Sequence, residues 1–206
     1  SGVTLRRVAV VVHRHIISRT WRLARGVHVR TTHRAFVRRS RQPDDETAMP
    51  ALTIGSITLD APFAQAALAG YSDAAMRRLA REYGCPYTIN EVLLDKLVGI
   101  RGKRMRRMLA IGPDEHPIGG QLMGSEPEKF AAAAEKLVKL GYDVIDINFG
   151  CPVHKVLGRC RGGFFLSVPE QAREIVRRVY TVVAGRAPVT VKMRRGMDDS
   201  AVSERD

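Results

Sequence analysis

The stretch "SEPEKFAAAAEKLVKLGYDVIDINFGCP", residues 125–152, decides the fold. Its first half carries the signals of a helix over 125–141. Ser125 stands as N-cap, acids occupy the first turn, lysines gather near the end and Gly141 stops it. Its second half, 142–150, is an apolar, β-branched run that ends abruptly at Gly150-Cys151-Pro152. A helix that feeds a buried strand is half of a βαβ unit.

Working outward, the same alternation recurs. Upstream, "ITLDAPFAQAAL" (57–68), "PYTINEV" (86–92) and "PIGGQLMG" (117–124) read as strands. Between them, "SDAAMRRLAREYG" (72–84) predicts a helix with Ser72 as N-cap, Gly84 as stop and Met76, Leu79, Ala80 and Tyr83 on one face. "DKLVGIRGKRMRRMLAI" (95–111) is helical but broken by two glycines. Downstream, "VPEQAREIVRRVYTVVAG" (168–185) predicts a helix and "APVTVKMRRG" (187–196) a strand. Strands separated by helices imply a parallel sheet. A doubly wound sheet and a barrel both fit. No G-x-G-x-x-G follows the first strand, which counts against a dinucleotide-binding fold. Polar residues at strand ends favour a barrel, whose active site sits there. The fold expected is therefore α/β, a (β/α)8 TIM barrel that is incomplete, with about five βα units.

The chain has 206 residues and a net charge of +13, unevenly spread. Residues 1–48 hold eleven Arg, no Lys and three acids, whereas 49–206 are only moderately basic, at +5. Arg and His are scattered through 1–48 without a steady period. Three readings stand for that segment: a targeting peptide, a basic nucleic-acid tail, or an over-extended start before Met49. Each predicts little regular structure there. The division expected is 1–48 as a basic extension and 49–206 as a partial barrel domain. The basic balance favours a polyanionic partner. Cys85, Cys151 and Cys160 form no C-x-x-C and no zinc spacing, which points to free thiols, a reducing cytoplasmic compartment and no metal. No apolar run approaches the ~20 residues of a membrane span.

Asn148 and Cys151 stand three residues apart at one strand tip. A free thiol titrates near about 8.5, so it holds a proton to donate at pH 7. A carboxamide both donates and accepts hydrogen bonds, which suits an amide or a nucleobase edge. Lys192 lies in a strand that is otherwise apolar, and a buried ammonium needs a partner. Gln121 sits among glycines that let a flat ligand approach the backbone. Polar residues at several strand ends, Asn90 and Glu91 included, point to one shared ligand.

These residues resemble the tRNA-dihydrouridine synthases. The resemblance runs from about Leu59 to Asp199. It is carried by "ALAGYSDAAMRRLAREYG" (67–84), "QLMGSEPEKF" (121–130), "DVIDINFGCPVHKVLGRCRGG" (143–163) and "PVTVKMRRGMDD" (188–199). It implies an FMN-binding TIM barrel that uses NADPH and acts on tRNA. Cys151 matches the cysteine that protonates the uracil, and Asn148 the residue that holds the uracil against the flavin. Gln121 and Lys192 match flavin-contacting residues, and Ala67, Leu68, Ala69 and Gly70 match the loop along the flavin ring. Lys155 and Arg159 fall in the loop expected to face RNA. Two departures stand out: Ala66-Ala67-Leu68-Ala69-Gly70 lacks the usual Pro and Met, and Cys160-Arg161-Gly162 replaces Gly-Ala-Gly. The rival readings are another FMN barrel of the dihydroorotate dehydrogenase type and a non-catalytic truncated fragment. Five strands would leave two open sheet edges, which invite self-association and weaken flavin binding.

Overall fold

The structure is a computed structural model that describes residues 8–12 and 51–194. In chain order the elements are β1 (Val8–Val12), β2 (Leu52–Ile54), β3 (Ile57–Leu59), α1 (Ala74–Glu82), β4 (Thr88–Ile89), β5 (Leu93–Leu94), α2 (Lys103–Leu109) and β6 (Ile118–Met123). There follow α3 (Pro127–Lys139), β7 (Val144–Phe149), α4 (His154–Leu157), α5 (Pro169–Val183) and β8 (Val189–Met193). Short 3₁₀ turns occupy Asp95–Leu97 and Gly162–Ser167.

The main sheet is parallel throughout, in the order β1-β8-β7-β6-β4, with β5 also paired to β6. Helices α3 and α5 cover one face. Ile145, Ile147, Val189, Val191 and Leu122 pack there against Phe130, Leu137, Ile175 and Val179. Gly120 lies on this face because a Cβ there would come within 2.7 Å of Leu137 and 3.0 Å of Tyr142. Side chains alternate along a strand, so the register Gly119↔Val144, Gln121↔Asp146, Asp146↔Thr190 and Asn148↔Lys192 places a second set on the opposite face. Its lower part is apolar: Val144, Tyr87 and Ile89 pack with Ile54 and Leu59 of the β2–β3 hairpin. Its upper part is polar. A sheet with helices outside and a polar inner layer at the strand C-termini is the plan of a half barrel.

Several expectations are corrected. The strand expected over 57–68 is not a member of the parallel sheet. Its first residues form the antiparallel hairpin with β2, and only Gln65 bridges β4, at Thr88. The caps shift by one residue. Asp73, not Ser72, caps α1, accepting hydrogen bonds from the N–H groups of Ala75 and Met76 at 3.1 and 3.0 Å. The Ser72 hydroxyl instead pairs with both the N–H and the carbonyl of Leu68. Glu126 caps α3 in place of Ser125, and Pro127 follows with the fixed φ that suits a first helical position. The apolar face expected for α1 is wrong: Leu79 and Tyr83 are exposed, and Arg77 is buried. Glu115 explains it, since its carboxylate takes both Nε and an Nη of Arg77 at 3.0 Å, while Ser72 and Ala110 carbonyls accept the rest.

The basic extension also departs from expectation at five residues. Val8–Val12 pairs in parallel with Val189–Met193, so the β8 edge expected to be open is covered. A run of four valines interrupted only by Ala9 has the β-branched character that a strand of this kind favours. The rest of 1–48 lies outside the described residues, as do residues 195–206.

Candidate functional site

The site lies where β6, β7 and β8 end. At the tip of β7, the Asn148 side chain turns back on its own chain. Its Oδ1 accepts hydrogen bonds from the N–H groups of Gly150 and Cys151, both at 3.1 Å. This turn halts the strand and presents Cys151, half-buried, at the rim. The turn is braced from the far side. Gly163 N–H donates to the Cys151 carbonyl at 2.9 Å. Gly162, at φ +58°, sits so close that a Cβ there would lie 2.8 Å from the Cys151 Cβ. Only glycine meets both the backbone angle and the space.

Beneath the turn a chain of buried side chains crosses three strands. Asn148 Nδ2 donates to Gln121 Oε1 at 2.8 Å, and Gln121 Nε2 donates to Asp146 Oδ2 at 2.6 Å. The other Asp146 oxygen accepts from Thr190 Oγ1 at 2.5 Å. Burial is the main cause that pushes the Asp146 carboxyl up to about 6, opposed by these two hydrogen bonds and by Lys192. Gln121 is wholly buried, with both ends of its amide engaged. Asn90 is committed to structure: its Oδ1 accepts from Gln121 N–H and its Nδ2 donates to Tyr142.

Lys192 stands beside Asn148 in the register and is half-buried. Burial pulls its ammonium below the ordinary value, partly opposed by the charge of Asp146. Among the described residues no hydrogen bond or ion pair engages its Nζ. A half-buried, unengaged cation beside a free N–H of Asn148 suits a flat, electron-rich ring bearing acceptor atoms. The loop Ala67-Leu68-Ala69-Gly70 follows Gln65 and ends at the same rim, with Leu68, Ala69 and Gly70 exposed. Glu91, two residues beyond β4, ties it down by accepting from Gly70 N–H at 2.7 Å. Lys155 and Arg159 are exposed on and just after α4, at the same end of the sheet. Neither joins the buried chain of amides.

Beyond Glu91, a cavity of about 380 Å³ is lined by Lys103, Arg104 and Arg107 of α2. Among the described residues no three His, Cys, Asp or Glu side chains gather as a metal site, and no helix is long and apolar enough to cross a membrane. Sequence reasoning missed Asp146 and Thr190. The signal for Asp146 was present: Asp146-Ile147-Asn148 has the strand period of two, so both polar residues had to share a face.

Comparison with known proteins points to one family. The family described as dihydrouridine synthase (Dus) matches residues 64–204. The chain is 36% identical over 152 residues to a probable tRNA-dihydrouridine synthase 1 of Synechocystis, covering 74% of this chain and 42% of that one. It is 33% identical over 150 residues to a probable tRNA-dihydrouridine synthase of Rickettsia conorii, covering 72% and 45%. Against tRNA-dihydrouridine synthase B of Pseudomonas syringae the identity is 31%, covering 73% and 44%. The chain thus spans less than half the length of the curated relatives it matches. In fold it is similar to histamine dehydrogenase from Rhizobium sp. 4-9, with a TM-score of 0.54, 16% identity, and coverage of 72% of this chain and 32% of that one.

Proposed function

The chain belongs to the dihydrouridine synthase family, and from that premise we propose that its site serves the flavin-dependent reduction of uridine to 5,6-dihydrouridine in tRNA. The observation that carries the proposal is the turn in which Asn148 holds Cys151 at the rim, with Lys192 unengaged beside it.

In this reading Lys192 and the loop Ala67–Gly70 would hold FMN, with Gln121 supporting them from beneath. When bound and reduced by NADPH, FMN would supply the hydride chemistry, directed at C6 of the uracil. The chain's own residues do the rest. Asn148 has one amide N–H left for a carbonyl oxygen of the ring. Cys151 gives the proton that C5 needs, so one hydride and one proton saturate the double bond. A stacked base cannot reach such a rim, so the uridine is turned out of its helix. Lys155, Arg159 and the basic cavity wall of α2 hold phosphates, and the affinity falls as salt rises. The reaction belongs to the cytoplasm, where tRNA and reduced nicotinamide meet.

The test is dihydrouridine formation in a tRNA transcript, measured by mass spectrometry with FMN and NADPH supplied. The parent chain forms it, and Cys151→Ala retains flavin but loses at least about a hundredfold in rate, the scale of a positioned general acid. Equal turnover by Cys151→Ala, or none by a folded, flavin-bound parent, overturns the reading.

A further inference from the structure

The buried chain of side chains has a direction, and both of its ends are unambiguous. At one end the N–H groups of Gly150 and Cys151 can only donate. At the other, the Asp146 oxygen facing Gln121 accepts. The two carboxamides between them, Gln121 and Asn148, are therefore locked in one polarity: nitrogen toward Asp146, oxygen toward the Cys151 turn. The geometry points to Asp146 as the positioning residue of the site, anchoring a one-way relay through Gln121 and Asn148 that holds the Cys151 turn and leaves Asn148 presenting a donor to the ligand.

The relay spans three strands. Asp146 faces Gln121 across β7–β6 and Thr190 across β7–β8. Thr190 Oγ1 can donate or accept, so it satisfies the outer Asp146 oxygen without setting the direction. Remove the anchor and the Gln121 amide is left wholly buried with a free donor, at liberty to rotate. Asn148 then loses the partner that holds its Oδ1 over the Gly150 and Cys151 N–H groups. An Asn at 146 keeps the relay, because its Oδ1 can accept from Gln121 while its Nδ2 donates to Thr190. A Val at 146 cannot.

The inference rests on the reading of Cys151 as the site thiol, but its test does not use turnover. Amide hydrogen exchange is followed by NMR in the full chain at Gly150 and Cys151, with Ile145 and Ile147 of the same strand as internal references. Relative to those references, protection at Gly150 and Cys151 falls about fivefold or more in Asp146→Val, the scale of one lost hydrogen bond. Asp146→Asn stays near the parent. Gln121→Met cuts the relay in the middle and gives the same selective loss, which keeps the test available where Asp146→Val does not fold. A proportionate loss at all four amides, unchanged protection in both disruptive variants, or a loss in Asp146→Asn equal to that in Asp146→Val would each overturn the relay. A chain inactive on tRNA but showing the selective loss separates a failed catalytic reading from a failed relay.

Discussion

At the scale of the residue, the site depends on a carboxyl group in an unfavourable place. Asp146 is buried on the inner face, and burial raises its pKa from 3.8 to about 6. The native carboxyl thus binds its proton more tightly than the unfolded one. The stability this contributes is present below pH about 4, is lost as pH rises toward 6, and stays lost above. The total is on the order of 3 kcal/mol. Asp146→Asn has no such titration and keeps both hydrogen bonds. Its stability relative to the parent, measured by urea denaturation, therefore rises between pH 4.5 and pH 6 and levels off by pH 7.5. A parent that instead gains stability over that interval relative to Asp146→Asn contradicts the assignment. The same carboxyl accepts from Gln121, which in turn accepts from Asn148 under the turn that presents Cys151.

At the scale of the element, the register of β4 against β6 is set by close packing on the inner face. Gly119 opposes Tyr87 so tightly that a Cβ there would lie 2.2 Å from the hydroxyl and 3.0 Å from the ring carbon that bears it. The hydroxyl is buried without a hydrogen-bond partner, and burial pushes its pKa well above the ordinary value. Tyr87→Phe removes an unsatisfied polar group and is expected to stabilise the fold by up to about 1 kcal/mol. Gly119→Ala overpacks the layer and costs about 1–3 kcal/mol. In the double variant the cost shrinks, since the nearest clashing atom is gone. Thermal denaturation of the four proteins as a double-mutant cycle checks this, and strict additivity would show that the two residues do not meet. The contact matters to the site because β6 carries Gln121 two residues beyond Gly119, on the same face.

At the scale of the whole molecule, the sheet edge at β8 is covered by β1. Val8–Val12 matches Val189–Met193 residue for residue, and Lys192 stands opposite Val11. Deleting residues 1–48 exposes that edge next to the residue proposed to hold the flavin. The expected outcome is a lower melting temperature, by about 2–4 °C for each kcal/mol lost in a chain of this size. Self-association, read by light scattering, should rise as well, because an open parallel edge is a template for another chain. An unchanged melting temperature and a monodisperse deletion variant would show that β1 contributes nothing. The extension carries eleven Arg against three acids, so under the proposed tRNA reading the same deletion also weakens the salt dependence of binding.

The sequence by itself determined the alternation of strands and helices, the parallel sheet and the meeting of Gln121, Asn148, Cys151 and Lys192 at one end of it. These follow from local signals: apolar runs, glycine stops, and the rule that consecutive parallel strands end on the same side. Only the tertiary structure decided which polar residue is buried and why. Arg77 lies inside because Glu115, 38 residues away, meets it there. Asp146 anchors the site because Gln121 and Thr190 come to it from neighbouring strands. Val8–Val12 becomes a strand because the β8 edge accepts it, although the arginines around it hide the run in any averaged window. Each of these rests on a partner distant in sequence, and burial free energy depends on that partner rather than on the residue's neighbours in the chain.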